Sequence, residues 1–505
     1  MEQNIVGIVR TEAIGYPSAP FNPPVNYPEI PYNPVPSHPN HIFDSLRRLF
    51  TLLKYDSDRY GTEEWNPLRW LIKPNDTVFI KPNMIAHRHR TTDDWDCVIT
   101  HGSVVRAVLE YVCIALNGKG KIIIGDGPQT DSDFDRIVSL MGLRDIQAVH
   151  RMHKELSIEI VDLRDECWVV QDGVVTNSFR LPGDPRGKVA SNLGNQSMFA
   201  QCDGMNRRYY GAFYDVDETN LHHRRGIHEY QLSGSPLVAD VCISLPKLKT
   251  HKKCGLTVNL KGTVGLNANK NWLPHYTVGD PTTGGDQFPT HSAKSRLENL
   301  LVANAKRLLA KRNPLMQQLA RATKRSAYKL FGKTEEIIRS GNWYGNDTAW
   351  RMALDLNRIL MYSDARGNLP KGGMRKRYFS IVDGIVAMEG DGPVNGKRKE
   401  AGVLIAGANP VAVDVACATL MGFDWRRIPI LARSFDPHPY PLIEGGFDSV
   451  TAASNVEQWN RPLNQWSVDE TLQFEPHFGW KGHIEMKHDE QKSVNWDSSG
   501  ASGRT

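Results

Sequence analysis

Apolar positions along this chain fall into two periodicities. In residues 41–54, Ile42, Leu46, Leu49, Phe50 and Leu53 recur at three- and four-residue spacing, which predicts an amphipathic helix. Val104, Val105, Val108, Tyr111, Val112 and Ala115 share one face of a second helix, stopped by the Asn-Gly-Lys-Gly at 117–120. A third is predicted over 410–421, where Pro410 suits the first turn. Between the helices lie short apolar runs at 76–80, 121–124, 158–161, 238–245, 379–382 and 403–406. Helices alternating with such strands predict an α/β fold: a mainly parallel open sheet with helices on both faces, carrying insertions.

The punctuation sets an expected organisation. Residues 1–40 read as a proline-rich N-terminal arm, because the prolines between 17 and 40 cannot donate to a regular backbone ladder. Residues 41–430 read as the α/β domain, with an irregular, partly β insertion at about 165–235 and a basic helical one at 294–340. Residues 431–505 read as an irregular, aromatic-rich extension, frayed from 489 onward.

Composition narrows the class. With 505 residues, 40% hydrophobic and 23% charged, the chain can bury a core and is neither a disordered tail nor a disulfide-stapled mini-domain. The excess of 61 Lys and Arg over 56 Asp and Glu is spread along the chain, so nucleic acid is not an expected partner. Seven cysteines without a CxxC pair argue for reduced thiols and a cytoplasmic location, and no bound iron–sulfur cluster is expected. The first twenty residues lack the apolar core of a signal peptide, and no run approaches the ~18 apolar residues of a spanning helix.

Candidate chemistry sits where apolar runs end. Lys81-Pro82-Asn83, Gly125-Asp126-Gly127, Pro246–His251, Asp383-Gly384 and Gly407 each follow a predicted strand. In an open parallel sheet such loops converge on a crevice, although turns in any α/β protein favour Gly, Pro and Asp. Lys81, Lys247, Lys249 and Lys261 lie beside strands that read as buried, where an unpaired ammonium is costly unless an anion answers it. Either a ligand does so, or Asp126, Asp383 and Glu389 do. Lys252 and Lys253 are expected to be exposed. The candidate ligand-binding residues are therefore Lys81, Asn83, Gly125, Asp126, Lys247, Lys249, Lys261, Gly390 and Asp391.

The candidate catalytic residues are His101, His251, Asp383 and Glu389. His101 precedes a helix that Ser103 would cap, and His251 lies among lysines; both surroundings favour a neutral imidazole that can accept a proton. A structural hydrogen-bonding role is the alternative for each. Asp383, Glu389 and Asp391, interleaved with glycines at 384, 390, 392 and 396, could hold a divalent metal or sugar hydroxyls, or simply answer the lysines. The cofactor is otherwise open. P-loop, dinucleotide, GxSxG and HExxH signatures are absent.

Taken together, KPN (81–83), TTDDWDCVITHGSVVRAVLEY (91–111), IIIGDGP (122–128), VADVCISLPKLKTHKKCGLTVNLKGTVG (238–265), DGIVAMEGDGPVNG (383–396) and GVLIAGANPVAVDVACATLMGFD (402–424) resemble the domain of unknown function 362 family, over roughly residues 76–430. The resemblance implies an α/β domain found alone or joined to ferredoxin-like iron–sulfur modules, from which a redox role has been inferred. This chain lacks cluster-spaced cysteines, so electron transfer would need a separate partner. The family pattern maps onto Lys81, Asn83, His101, Asp126, Lys247, Lys249, His251, Lys261, Asp383, Glu389, Gly390 and Asp414. Three functional classes follow. The first is an enzyme that binds an anionic small molecule or glycan unit through phosphate or carboxylate, by group transfer or isomerisation rather than triad hydrolysis. The second is a cofactor-dependent redox or racemase-like enzyme. The third is a non-catalytic ligand-binding or scaffold protein. Substrate, reaction type and homo-oligomerisation stay open.

Overall fold

The computed structural model describes residues 4–11, 15–31, 39–150, 155–171, 174–205, 207–211, 215–292 and 338–487. Ten strands form the central sheet: β1 Ile5–Arg10, β2 Thr77–Pro82, β3 Gly120–Asp126, β4 Leu156–Asp162, β5 Val241–Leu245, β6 Lys247–His251, β7 Gly255–Thr257, β8 Arg377–Glu389, β9 Lys397–Gly407 and β10 Thr451–Ser454. Their order is β10-β1-β9-β8-β5-β2-β3-β4, with β6 also pairing β8 and β7 pairing β6. Pairing is parallel from β8 through β5, β2 and β3 to β4, and antiparallel where β9 meets β8 and β1. The chain thus has the expected open, mainly parallel α/β sheet.

Strand periodicity explains why both faces are covered. Val78, Ile80, Ile122, Ile124, Val241 and Ile243 point to one side, where α1 Ile42–Leu52 and α2 Gly102–Leu116 pack. The intervening Phe79, Ile123 and Cys242 point to the other, toward α4 Ala349–Tyr362 and α5 Pro410–Leu420. The short α3 Asn259–Gly262 lies before α4 in the chain. Each fully buried Phe, Leu or Ile in these layers contributes about 1.5–3 kcal/mol, so the sheet is a rigid platform for the loops at its edge.

Several elements differ from the sequence reading. Residues 5–10, assigned to the arm, form β1 inside the sheet, because Val6, Ile8 and Val9 are buried between β9 and β10. The extension supplies β10. Lys247–His251 is no loop but a strand buried at every position, and Asp383-Gly384 lies within the thirteen-residue β8 rather than after it. The helix α2 is capped by His101, whose side chain accepts the Ser103 N–H, and not by Ser103. Within 165–235, strands Glu166–Gln171 and Val174–Arg180 pair, as do Lys188–Asn192 and Ile227–Ser233. The basic helical segment lies almost wholly outside the described residues, as does 489–505. Among the described residues no helix is long and apolar enough to cross a membrane.

Candidate functional site

Parallel pairing of β2 and β3 in the register Ile80↔Ile124 brings their carboxyl ends side by side. Lys81 and Asp126 meet there, with Nζ 2.9 Å from Oδ1. The same carboxylate accepts the N–H of Gly127 (2.9 Å) and of Met84 (2.9 Å), so it is fixed by three donors. Close packing demands two glycines: a Cβ at Gly265 would fall on Asp126 Oδ1, and one at Gly127 would stand 2.6 Å from the Gly265 carbonyl oxygen.

A cleft of about 310 Å³ opens over this pair. Its walls carry seven cationic side chains, Lys81, Arg90, Lys249, Lys252, Lys253, Lys261 and Lys270, against two carboxylates, Asp126 and Asp131. Lys249 extends from β6 and donates to the Val98 carbonyl (2.6 Å) and to Asn83 Oδ1 (3.3 Å). Burial pushes its pKa down to about 7. Lys270 donates to the Gly127 carbonyl at 3.3 Å, and burial pushes it down to about 8. Lys261, on α3, makes no hydrogen bond or ion pair with any described residue, and burial holds it below its usual value. Neither Lys249 nor Lys261 has a carboxylate partner among the described residues.

Asp414 acts from behind. From α5 it accepts the N–H of Asn259 and of Leu260, each at 2.9 Å, and so anchors the first turn of α3. Burial lifts its pKa to about 7. Its carboxylate positions the backbone that carries Lys261 rather than lining the cleft.

Two histidines in the cleft present opposite edges. His251 Nδ1 accepts the Lys253 backbone N–H at 3.0 Å, so the neutral ring carries its proton on Nε2. Burial, then Lys261 and its neighbours, holds this imidazole well below its ordinary pKa. Its open edge is therefore a donor, which corrects the expectation of a proton acceptor. His275 has the reverse tautomer: Nδ1 donates to the Leu273 carbonyl (2.8 Å), leaving Nε2 as an acceptor, and burial lowers its pKa to about 3.

The structure brings Lys81, Asn83, Asp126, Lys249, His251 and Lys261 to one cleft. Gly125 lies one residue back, in β3, packed toward the Val161 carbonyl. His101, Lys247 and Asp383 form a separate buried cluster. Lys247 Nζ stands 3.0 Å from Asp383 Oδ2, both side chains fully buried, and Tyr16 donates to Asp383 Oδ1 at 2.5 Å. Lys247 in turn donates to the Tyr16 hydroxyl oxygen at 2.7 Å, and the His101 backbone N–H donates to Asp383 Oδ2 at 2.9 Å. The His101 ring stacks on Tyr16 with centroids 3.9 Å apart; burial and Lys247 hold it neutral. These residues answer one another's charges and do not line the cleft.

Glu389 and Asp391 also stand apart. Glu389 pairs with Lys399 (2.7 Å) and accepts the Glu475 N–H, Gly390 O accepts the Thr250 hydroxyl, and Asp391 lies 4.0 Å from His477. Asp383, Glu389 and Asp391 therefore do not converge, and among the described residues no group of three or more His, Cys, Asp or Glu side chains is placed to hold a metal ion. Sequence reasoning missed Lys270, His275, Arg90 and the half-buried Lys252 and Lys253. Lys270 and His275 follow the recognised motif by only a few residues, but no apolar run ends beside them.

A thylakoid-associated protein, sll1697, of Synechocystis sp. is 24% identical over 252 residues, which make up 50% of this chain and 51% of that protein. The chain thus spans about half the length of the curated relative it matches. The family model of domain of unknown function DUF362 matches residues 78–186 and 175–419, a region that holds every residue lining the cationic cleft. With well over half its length matched, the chain belongs to the DUF362 family.

Proposed function

We propose that this protein is an enzyme whose cationic cleft binds an anionic small molecule through phosphate or carboxylate oxygens. The observation that carries the reading is the excess of basic over acidic side chains in the walls, seven against two, with Lys249 and Lys261 lacking any carboxylate partner among the described residues. Buried ammonium groups without a counterion are costly, and an anionic guest removes that cost. Two imidazoles held neutral beside it supply proton traffic, His251 donating from Nε2 and His275 accepting at Nε2. Such a pair suits group transfer or isomerisation of an anion whose charge the lysines stabilise as it develops.

A cytoplasmic location fits seven free cysteines, six of them buried. The named relative is thylakoid-associated, and fractionation of the native cell distinguishes the two placements. The functional test is a thermal-shift screen of phosphosugars, nucleotides and carboxylates on the full chain. A true ligand at about 100 times its Kd stabilises by about 2.7 kcal/mol. Lys261→Met should abolish that shift, whereas His275→Gln should keep binding and lose turnover. No shift with any of the three classes refutes the reading.

A further inference from the structure

A second cavity, of about 490 Å³, shares two wall residues, Thr130 and Lys270, with the cationic cleft. Lys270 is the one charged side chain common to both, 8% exposed, and among the described residues its one hydrogen bond is the 3.3 Å one to the Gly127 carbonyl. The two cavities differ in how their charges are answered. In the second, Asp165 is met by Lys188 at 2.5 Å, Arg164 by Asp162 at 2.7 Å, and Asp184 by the Ser235 hydroxyl at 2.6 Å. In the first, Lys249 and Lys261 have no carboxylate partner among the described residues.

We propose that the two cavities form one site for a phosphate ester of a hydroxyl-rich molecule, a sugar phosphate. The phosphate lies among Lys249, Lys261, His251 and Lys270, and the sugar extends past Lys270 into the second cavity. This rests on the anion-binding reading above and adds the uncharged half of the ligand. A second anionic group would find Arg164 and Lys188 of that cavity already paired and, beyond the shared Lys270, only the exposed Arg180 without an ion pair among the described residues, whereas hydroxyls both donate and accept. The walls carry polar groups for them in the carboxylates of Asp165, Glu166 and Asp184 and in the side chains of Asn269 and Asn271, whose amides donate to Glu218 and of which the buried Asn271 Oδ1 has no hydrogen-bond donor. Leu181 and Ala268 supply the apolar surface that the C–H face of a sugar covers.

The test compares affinities on the full chain by calorimetry, using inorganic phosphate, free hexoses, and a panel of hexose 1-phosphates and 6-phosphates. At least one ester should bind about tenfold or more tighter than phosphate, with free hexoses not binding measurably. Leu181→Trp, which fills the second cavity, should bring the ester-to-phosphate ratio back toward one; Arg180→Trp, at an exposed position on the same wall, is the second variant if the first does not fold. If phosphate binds but no ester binds more tightly, or if both tryptophan variants leave the ratio intact, the two-cavity ligand is refuted while the anion site stands. If neither phosphate nor any ester binds, both are refuted.

Discussion

Anion binding should draw protons into the protein above neutral pH. Lys249 and Lys270 are held at about 7 and about 8 by burial. The charged groups around them pull both ways: Asp126 raises each, while Lys247 and Lys261 lower Lys249, and Arg164 and Lys81 lower Lys270. At pH 8 about nine-tenths of Lys249 and half of Lys270 are neutral, so an anion that restores both ammonium groups takes up about 1.4 protons. At pH 6 both are already charged and the uptake falls to about 0.1. Lys261, also held low, adds in the same direction. Sulfate is a suitable probe because it stays a dianion across this range. Calorimetric titrations in buffers of different ionisation enthalpy give proton uptake as the slope of observed heat against buffer heat. Lys249→Met should lower the pH 8 value by about 0.9. Equal uptake at the two pH values, or proton release at pH 8, would refute the assignment of neutral lysines to the cleft.

Three further outcomes are expected. Gly265→Ala drives a methyl group into the Asp126 carboxylate, and should cost about 1–3 kcal/mol in urea denaturation and weaken sulfate binding with it. Tyr16→Phe removes the hydroxyl that joins Asp383, Lys247 and the Val386 N–H, and should destabilise by about 1–3 kcal/mol without loss of sulfate affinity, read by denaturation and calorimetry in parallel. Lys249 titrates lower folded than unfolded, so the unfolded chain binds more protons between about pH 7 and 10.5 and stability should rise with pH through that window. Comparing denaturation midpoints of the wild type and Lys249→Met at pH 7 and 8.5 measures this slope, which the variant should flatten.

The parallel core of the sheet was legible because β2, β3 and β5 are buried on both faces and so read as unbroken apolar runs. β6 was not, since Lys247, Lys249, Thr250 and His251 look like a loop. Its polar side chains are tolerated in the interior only through partners far off in sequence, Asp383 for one lysine and the Val98 carbonyl for another. The same long-range pairing explains the divided site. Charge alone cannot say which lysine is answered by protein and which faces a cleft: Lys247 and Lys249 are two residues apart on one strand, yet one is locked in an ion pair and the other is not. The tautomers of His251 and His275 depend on single backbone contacts, which periodicity does not encode.

The placement of Tyr16 and β1 bears on how the protein can be handled. Both precede residue 78, where the match to the family begins, yet one closes the Asp383–Lys247 pair and the other lies between β9 and β10. A fragment trimmed to the family boundary would open a raw sheet edge along β9 and leave an inner polar cluster missing its phenol. Such a fragment should aggregate on expression, and its silence in a ligand screen would say nothing about the cleft.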